Sequence, residues 1–272
     1  MGGVNSVSSD QIEWAKSYPF DVPVQSYIYA RGQGFSLYSY KLEALKEARI
    51  EVGGRDARLV DILSASQIMS LELDRRCPVL ACGSNASPSR LAQKFSEKLP
   101  GALIPVLSVE VVDHCIVHAA NITGYGSIPA TFARLPGARV KTFVTLLTEE
   151  QLEVMDASET LGIEYDRPAF DESHVVLESG DTLSGVTGYI NRHGAFLLGR
   201  EPVALASVAA ENVPYARLTQ KEVQAAVMTA LDVSHPMDHY IAQNIADANL
   251  RHARAAELRD LHARPFDGKP LR

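Results

Sequence analysis

Glu159 is the residue on which proton-transfer chemistry could turn. Leu152 and Met155 lie on one helical stripe, and Glu159, four residues beyond Met155, falls on it, whereas Glu149, Glu150 and Glu153 project elsewhere. A carboxylate at the apolar side or edge of a helix loses solvation, and that suits it to exchange protons near neutral pH. A helix that frays at Ala157–Ser158 would instead release the side chain to water.

The second candidate is the run Val79-Leu80-Ala81-Cys82-Gly83-Ser84-Asn85-Ala86-Ser87-Pro88. Val79 to Cys82 reads as a buried strand ended by Gly83, and Ser87 with Pro88 opens a helix as N-cap and first-turn residue. Backbone N–H groups at such a helix start would point at the loop, a setting for a carboxylate or a developing oxyanion. The same residue types also make a plain strand-to-helix turn. Cys82 could act there as a thiolate nucleophile, although no partner histidine is identifiable and strand cysteines commonly serve as small apolar residues.

Other patterns carry less. His114 with His118 and His235 with His239 have i, i+4 spacing but no clustered third ligand, so no metal is expected, and no cofactor is expected either. Met1-Gly2-Gly3-Val4-Asn5-Ser6 fits an N-myristoylation pattern without a polybasic neighbour and reads as a Gly/Ser leader. Asn85-Ala86-Ser87 and Asn121-Ile122-Thr123 are formal glycosylation sequons in a chain whose start lacks an apolar signal core.

The elements that must position these residues are legible in outline. With 272 residues, 46% of them hydrophobic, the chain can bury a substantial core. It has no run of about eighteen apolar residues, and a formal charge of −7 opposes nonspecific nucleic-acid binding. Neither nucleic acid nor membrane is expected as a partner. Cys77, Cys82 and Cys115 are too few and too irregular for a disulfide framework, which fits a cytoplasmic location.

Tyr27–Tyr29 and Phe35–Tyr38 read as extended segments joined by a glycine turn, followed by helical patterns at Lys41–Ala48 and Arg58–Ser70. Residues 1–76 are thus expected as an N-terminal extension packed on the core. Leu91, Ala92, Phe95 and Leu99 give the helix after Ser87 an apolar face, and Ala102–Ala120 reads as one long or two abutting strands. Ile128–Phe132 and Arg139–Leu147 are expected to form a hairpin turning at Pro136-Gly137. Thr148-Glu149-Glu150-Gln151 and Thr219-Gln220-Lys221-Glu222 are capping boxes, each opening a helix. His174–Leu177 and Gly185–Asn191 suggest another hairpin. Pro236 starts a last helix to about Ala263 with a solvated arginine face.

In this order the pieces resemble the γ-glutamylcyclotransferase-like superfamily. Its core starts with an apolar strand and a Tyr-Gly-Ser-Asn loop, then carries a Gly-x-x-Ala-Thr strand, a Pro-Gly hairpin and a helix ending in a catalytic glutamate. The matching residues here are Cys82-Gly83-Ser84-Asn85, Ser127-Ile128-Pro129-Ala130-Thr131 after Gly126, Pro136-Gly137, and Met155-Asp156-Ala157-Ser158-Glu159. Cys82 stands where the family has an aromatic residue, and Thr160 stands where it has a glycine after the glutamate.

The resemblance covers roughly residues 79–220 and implies an α+β fold, a small mixed β-barrel with surrounding helices. It implies a core over 77–220, with C-terminal helices over 221–272. It further implies an enzyme of glutathione metabolism that releases 5-oxoproline from a small-molecule γ-glutamyl substrate, with Glu159 as general acid and base. Cys82, Gly83, Ser84, Asn85 and Tyr165 would form the substrate pocket, Tyr165 through its hydroxyl. A homodimer is left open. The alternative is a binding or scaffolding protein that keeps the fold without the reaction.

Overall fold

Alternating and continuous apolar runs build the sheet that carries the site. The computed structural model describes residues 7–72, 75–171 and 174–265, so the Met1–Ser6 pattern lies outside the described residues. These divide into two compact units. One comprises Asp21–Val111 with Lys141–Tyr189; the other comprises the chain up to Phe20, Val112–Val140 and the chain from Ile190.

In the first unit, β1 (Tyr27–Ala30) and β2 (Gln33–Ser39) form the expected hairpin. Then come β3 (Arg49–Val52), β4 (Arg55–Arg58) and β5 (Cys77–Ala81). Two long strands follow, β6 (Leu103–His118) and β7 (Ala130–Leu147), of which residues 103–111 and 141–147 belong to this unit. β6 is buried along almost its whole length, as its continuous apolar run requires of a strand covered on both faces. β1 pairs antiparallel with β6 from Tyr27↔Val106, so residues 27–58 add strands to the sheet. β5 pairs antiparallel with β7, from Cys77↔Leu147 to Ala81↔Phe143, and parallel with the Thr187–Gly188 strand.

The fold is α+β with a mixed sheet. Its order, from the Thr187–Gly188 strand through β5, β7, β6, β1, β2 and β3 to β4, is an open path among the described residues and not the closed barrel expected. The cluster under it includes Tyr27, Val79, Leu91, Phe95, Val106 and Met155.

Arg76, just before β5, ties this arrangement together. Its buried guanidinium donates to the carbonyls of Leu103 (2.9 Å), Leu146 (2.6 Å) and Ser70 (2.6 Å). Burial pushes its pKa down to about 10, and the charge-assisted bonds to carbonyls offset that desolvation. β5 is thereby fixed against its neighbours at the end that leads into the loop.

Further sequence expectations change. The Pro136-Gly137 turn does not form; β7 runs through it. Gly137 has φ +82° and Asp113 on β6 has φ +57°. The Gly137 N–H goes to Asp113 Oδ1 (2.7 Å), and its carbonyl accepts from Asn212 Nδ2 (3.0 Å). Glycine's tolerance of positive φ lets the strand pass through this point, where long-range partners hold the backbone in place of a turn.

Val175–Leu177 pairs with β6, not with the Thr187–Gly188 strand, so the second hairpin is also absent. The Arg58–Ser70 pattern splits into α2 (Leu59–Ile62) and α3 (Ala65–Met69), because Ser64 and Gln67 form a capping box.

The second unit holds α1 (Ser9–Lys16) and the C-terminal helices, among them α6 (Gln220–Ala230) opened by its capping box. The expected single last helix is two, α7 (Met237–Ala246) and α8 (Ala248–His262). Asp247 divides them by accepting from the N–H groups of Asn249 (2.9 Å) and Leu250 (3.0 Å). The arginine face is not simply solvated. Arg254 donates to Asn244 Oδ1 (2.9 Å) and Gln243 Oε1 (2.7 Å) and lies over the Tyr240 ring, holding α8 to α7. Replacing Asp247 with Ala should cost about 1 kcal/mol of stability, as loss of an N-cap does. Urea unfolding of the variant measures it.

Candidate functional site

The strand, loop and helix around Gly83 form nearly as the residues dictate. β5 ends at Ala81, Ser84–Ala86 makes one 3-10 turn, and α4 (Pro88–Phe95) begins after Ser87, whose Oγ accepts from the Arg90 N–H. Ser87 and Ser89 hydroxyls also donate to Asp21. Burial raises the Asp21 carboxyl's pKa, but the two hydroxyls together with the backbone N–H groups of Asp21 and Ser89 outweigh it and hold the carboxyl below its ordinary range. The start of α4 is therefore capped by the protein's own residues. The N–H groups of Gly83, Ser84 and Asn85 are different: none donates to a protein acceptor among the described residues.

The capping box at Thr148 opens α5 (Glu149–Ser158), and Glu159 is its C-cap. Met155 is fully buried, so the stripe inferred from sequence does face the core. Glu159 turns with it toward the loop. Asn85 Nδ2 donates to Glu159 Oε1 (3.3 Å). Lys94, from α4, closes the set: its Nζ donates to Glu159 Oε1 and to Asn85 Oδ1 (2.6 Å), and Met155 Sδ lies 3.3 Å away. The side chains of this ion pair are 3% exposed for Lys94 and 14% for Glu159. Burial pushes the Lys94 pKa below the usual lysine range, while the Glu159 carboxylate opposes the shift. Both hydrogen bonds to the carboxylate fall on Oε1.

No family model and no curated sequence matches the chain. Solved structures do.

One of those it is similar to is a gamma-glutamyl cyclotransferase. That match has 13% identity and a TM-score of 0.36, covering 72% of this chain and 94% of the other. An uncharacterized protein from Homo sapiens matches at 14% identity and a TM-score of 0.36, again over 72% and 94%. A protein from Arabidopsis thaliana solved in solution matches at 17% identity and a TM-score of 0.33, over 43% and 62%. What the site can do rests on its own geometry.

The remaining candidates are placed as follows. Cys82 follows β5 with Sγ 3.9 Å from the Tyr189 carbonyl. Burial first, and then the Glu159 carboxylate, push its thiol up to about 12, which opposes thiolate chemistry at neutral pH. Tyr165 packs edge-on to Tyr189 with ring centroids 6.4 Å apart.

The Tyr189 hydroxyl donates to Asp156 Oδ1 (2.5 Å), which also receives Arg167 Nε (3.0 Å). This group, with Lys94, was missed in the sequence. Lys94 had a signal: it falls three residues after Leu91 and beside Phe95, within the apolar face of its own helix. Among the described residues no cluster of histidine, cysteine and acidic side chains could hold a metal ion, and no helix is long and apolar enough to cross a membrane.

Thr160, the residue after Glu159, lies in the left-handed backbone region that favours glycine, with φ +53°. The Leu161 N–H reaches back to the Asp156 carbonyl (3.2 Å), closing α5 as a Schellman cap. A β-branched residue is strained in left-handed backbone by about 1–2 kcal/mol. Thr160→Gly should therefore stabilise the fold by about 1 kcal/mol, raising the melting temperature by about 2–4 °C in a thermal scan.

Proposed function

We propose that the chain is a γ-glutamylcyclotransferase-like enzyme that releases 5-oxoproline from a γ-glutamyl amine or peptide by intramolecular aminolysis. The observation that carries this reading is the meeting of Asn85 with Glu159 Oε1, which brings a helix-end acid to a loop of unengaged backbone donors. The order of sequence motifs supports it.

The chemistry follows from what each group can do. The substrate's α-ammonium gives a proton to Glu159, and the freed amine attacks the side-chain carbonyl carbon, forming the ring C–N bond. The N–H groups of Gly83, Ser84 and Asn85 bind the carbonyl oxygen as it becomes an oxyanion, or the substrate carboxylate. Collapse of the tetrahedral centre breaks the bond to the leaving nitrogen, which takes up the proton held by Glu159, and the ring nitrogen then gives its second proton to the freed carboxylate, leaving a neutral lactam and passing that proton on to the departing amine. No enzyme nucleophile or cofactor takes part.

Holding the glutamyl chain folded contributes up to roughly 7–11 kcal/mol, and the acid–base work is worth on the order of 10²–10⁴-fold. The Cys82 side chain and the Tyr165 hydroxyl complete the pocket wall.

Purified protein incubated with a panel of γ-glutamyl amines and dipeptides should accumulate 5-oxoproline, read by mass spectrometry. Absence of that product with every member of the panel removes this reading. If a γ-glutamyl compound still binds, the chain is instead a binding protein that retains the fold.

A further inference from the structure

We propose that Lys94 is the positioning residue of this site: it anchors Glu159 through Oε1 and supplies its counter-charge, leaving Oε2 to meet the substrate amine. The inference rests on the reading of Glu159 as the acid–base group and says what makes it competent.

The argument begins with position. An ammonium whose side chain is 3% exposed has lost nearly all of its water, a costly state unless charge and hydrogen bonds replace it. A leucine or methionine would fill the α4–α5 contact without that cost. Lys94 instead makes a closed ring of contacts, donating to Glu159 Oε1 and to Asn85 Oδ1, while Asn85 Nδ2 donates to the same Oε1. Two donors on one oxygen fix the plane of the carboxyl group. Oε2 has no hydrogen-bond partner among the described residues, so its lone pairs remain for a proton.

The surrounding charges leave this task to Lys94. Arg90 and Lys98, on the same helix, act on the Lys94 ammonium as like charges. Cys82 beside the loop and Tyr189 opposite α5 both feel the Glu159 carboxylate and are themselves neutral, since burial raises their pKa values. Asp156, one turn back on α5, is occupied by Arg167 and Tyr189. Among the described residues Lys94 is thus the cation in contact with Glu159, and removing a contacting cation disfavours the ionised form of a carboxyl group.

Two measurements separate positioning from packing. In the first, kcat/KM for a γ-glutamyl substrate is followed against pH. Lys94→Met should move the acid limb upward by about 1–3 pH units, and Lys94→Arg, which keeps the charge, should restore it. Lys94→Gln, which keeps a donor without the charge, is the second neutral variant should Met fail to fold.

In the second, glutamate labelled with ¹³C at the side-chain carboxyl reports residue 159 directly, assigned by loss of its signal in Glu159→Gln. Its titration midpoint should rise in Lys94→Met or Lys94→Gln by the same amount. A neutral variant with unchanged acid limb and unchanged midpoint overturns the proposal, as does a failure of Lys94→Arg to restore them. If wild-type protein makes no 5-oxoproline, the cyclotransferase reading falls, and the carboxyl titration still decides what Lys94 does.

Discussion

Replacing Glu159 with Gln should lower the rate of 5-oxoproline release by about 10²–10⁴-fold, the usual worth of a positioned acid–base group. Gln keeps the shape of the side chain and an oxygen that can accept from Lys94 and Asn85, so the α4–α5 contact retains its hydrogen bonds. What it loses is the ability to take the ammonium proton and hand it to the leaving nitrogen.

The loss should therefore fall on kcat, with KM little changed, because the loop donors that hold the substrate are untouched. The substitution also leaves the buried Lys94 without its counter-charge, and breaking a buried pair is destabilising. Far-ultraviolet circular dichroism must show folded protein at the assay temperature. Turnover within a few-fold of wild type in a folded Glu159→Gln variant would remove Glu159 from the mechanism.

The other large effect concerns stability and pH. His118 is fully buried near the end of β6, with Nε2 3.0 Å from the Leu218 carbonyl. Desolvation dominates and lowers its pKa from 6.5 to about 4, against the opposing backbone interactions with Leu218 and Ile128. The sign follows from linkage. The unfolded chain takes up a proton at this residue near pH 6.5 while the folded chain does not, so the stability present above that pH is lost as pH falls toward 4.

At about 1.4 kcal/mol per unit, the full loss is about 3 kcal/mol. Urea unfolding at pH 7, 6, 5 and 4 should trace this decline, and His118→Gln should flatten it. Asp21, whose carboxyl is held below its ordinary range, adds a further loss at lower pH still. An equally steep decline in His118→Gln would place the acid sensitivity elsewhere.

Local signals account for what could be read in the sequence. The boxes at Thr148 and Thr219 open α5 and α6 where their spacing requires, and the Ser87–Pro88 pair opens α4. The apolar run of β6 becomes one continuous strand, and the Leu152–Met155 stripe carries Glu159 toward the loop. Such features depend on residues within a turn or two of each other, where the periods of helix and strand and the needs of orphan N–H groups operate.

Where a choice depended on a distant partner, the sequence was silent or misleading. Pro136-Gly137 reads as a turn, whereas in the fold β7 runs through it with Gly137 held by Asp113 and Asn212. Asp247 could sit within a helix or start one, and only the packed pair of helices shows that it starts one. Lys94 and Glu159 are 65 residues apart, so their pairing is a property of packed helices and not of any segment. The sequence by itself determined the strand, the loop and the helix-borne acid, because these are written in short-range periodicity and caps. The tertiary structure alone decided which cation holds that acid and which of its oxygens stays open, because burial and charge pairing exist only once distant segments have come together.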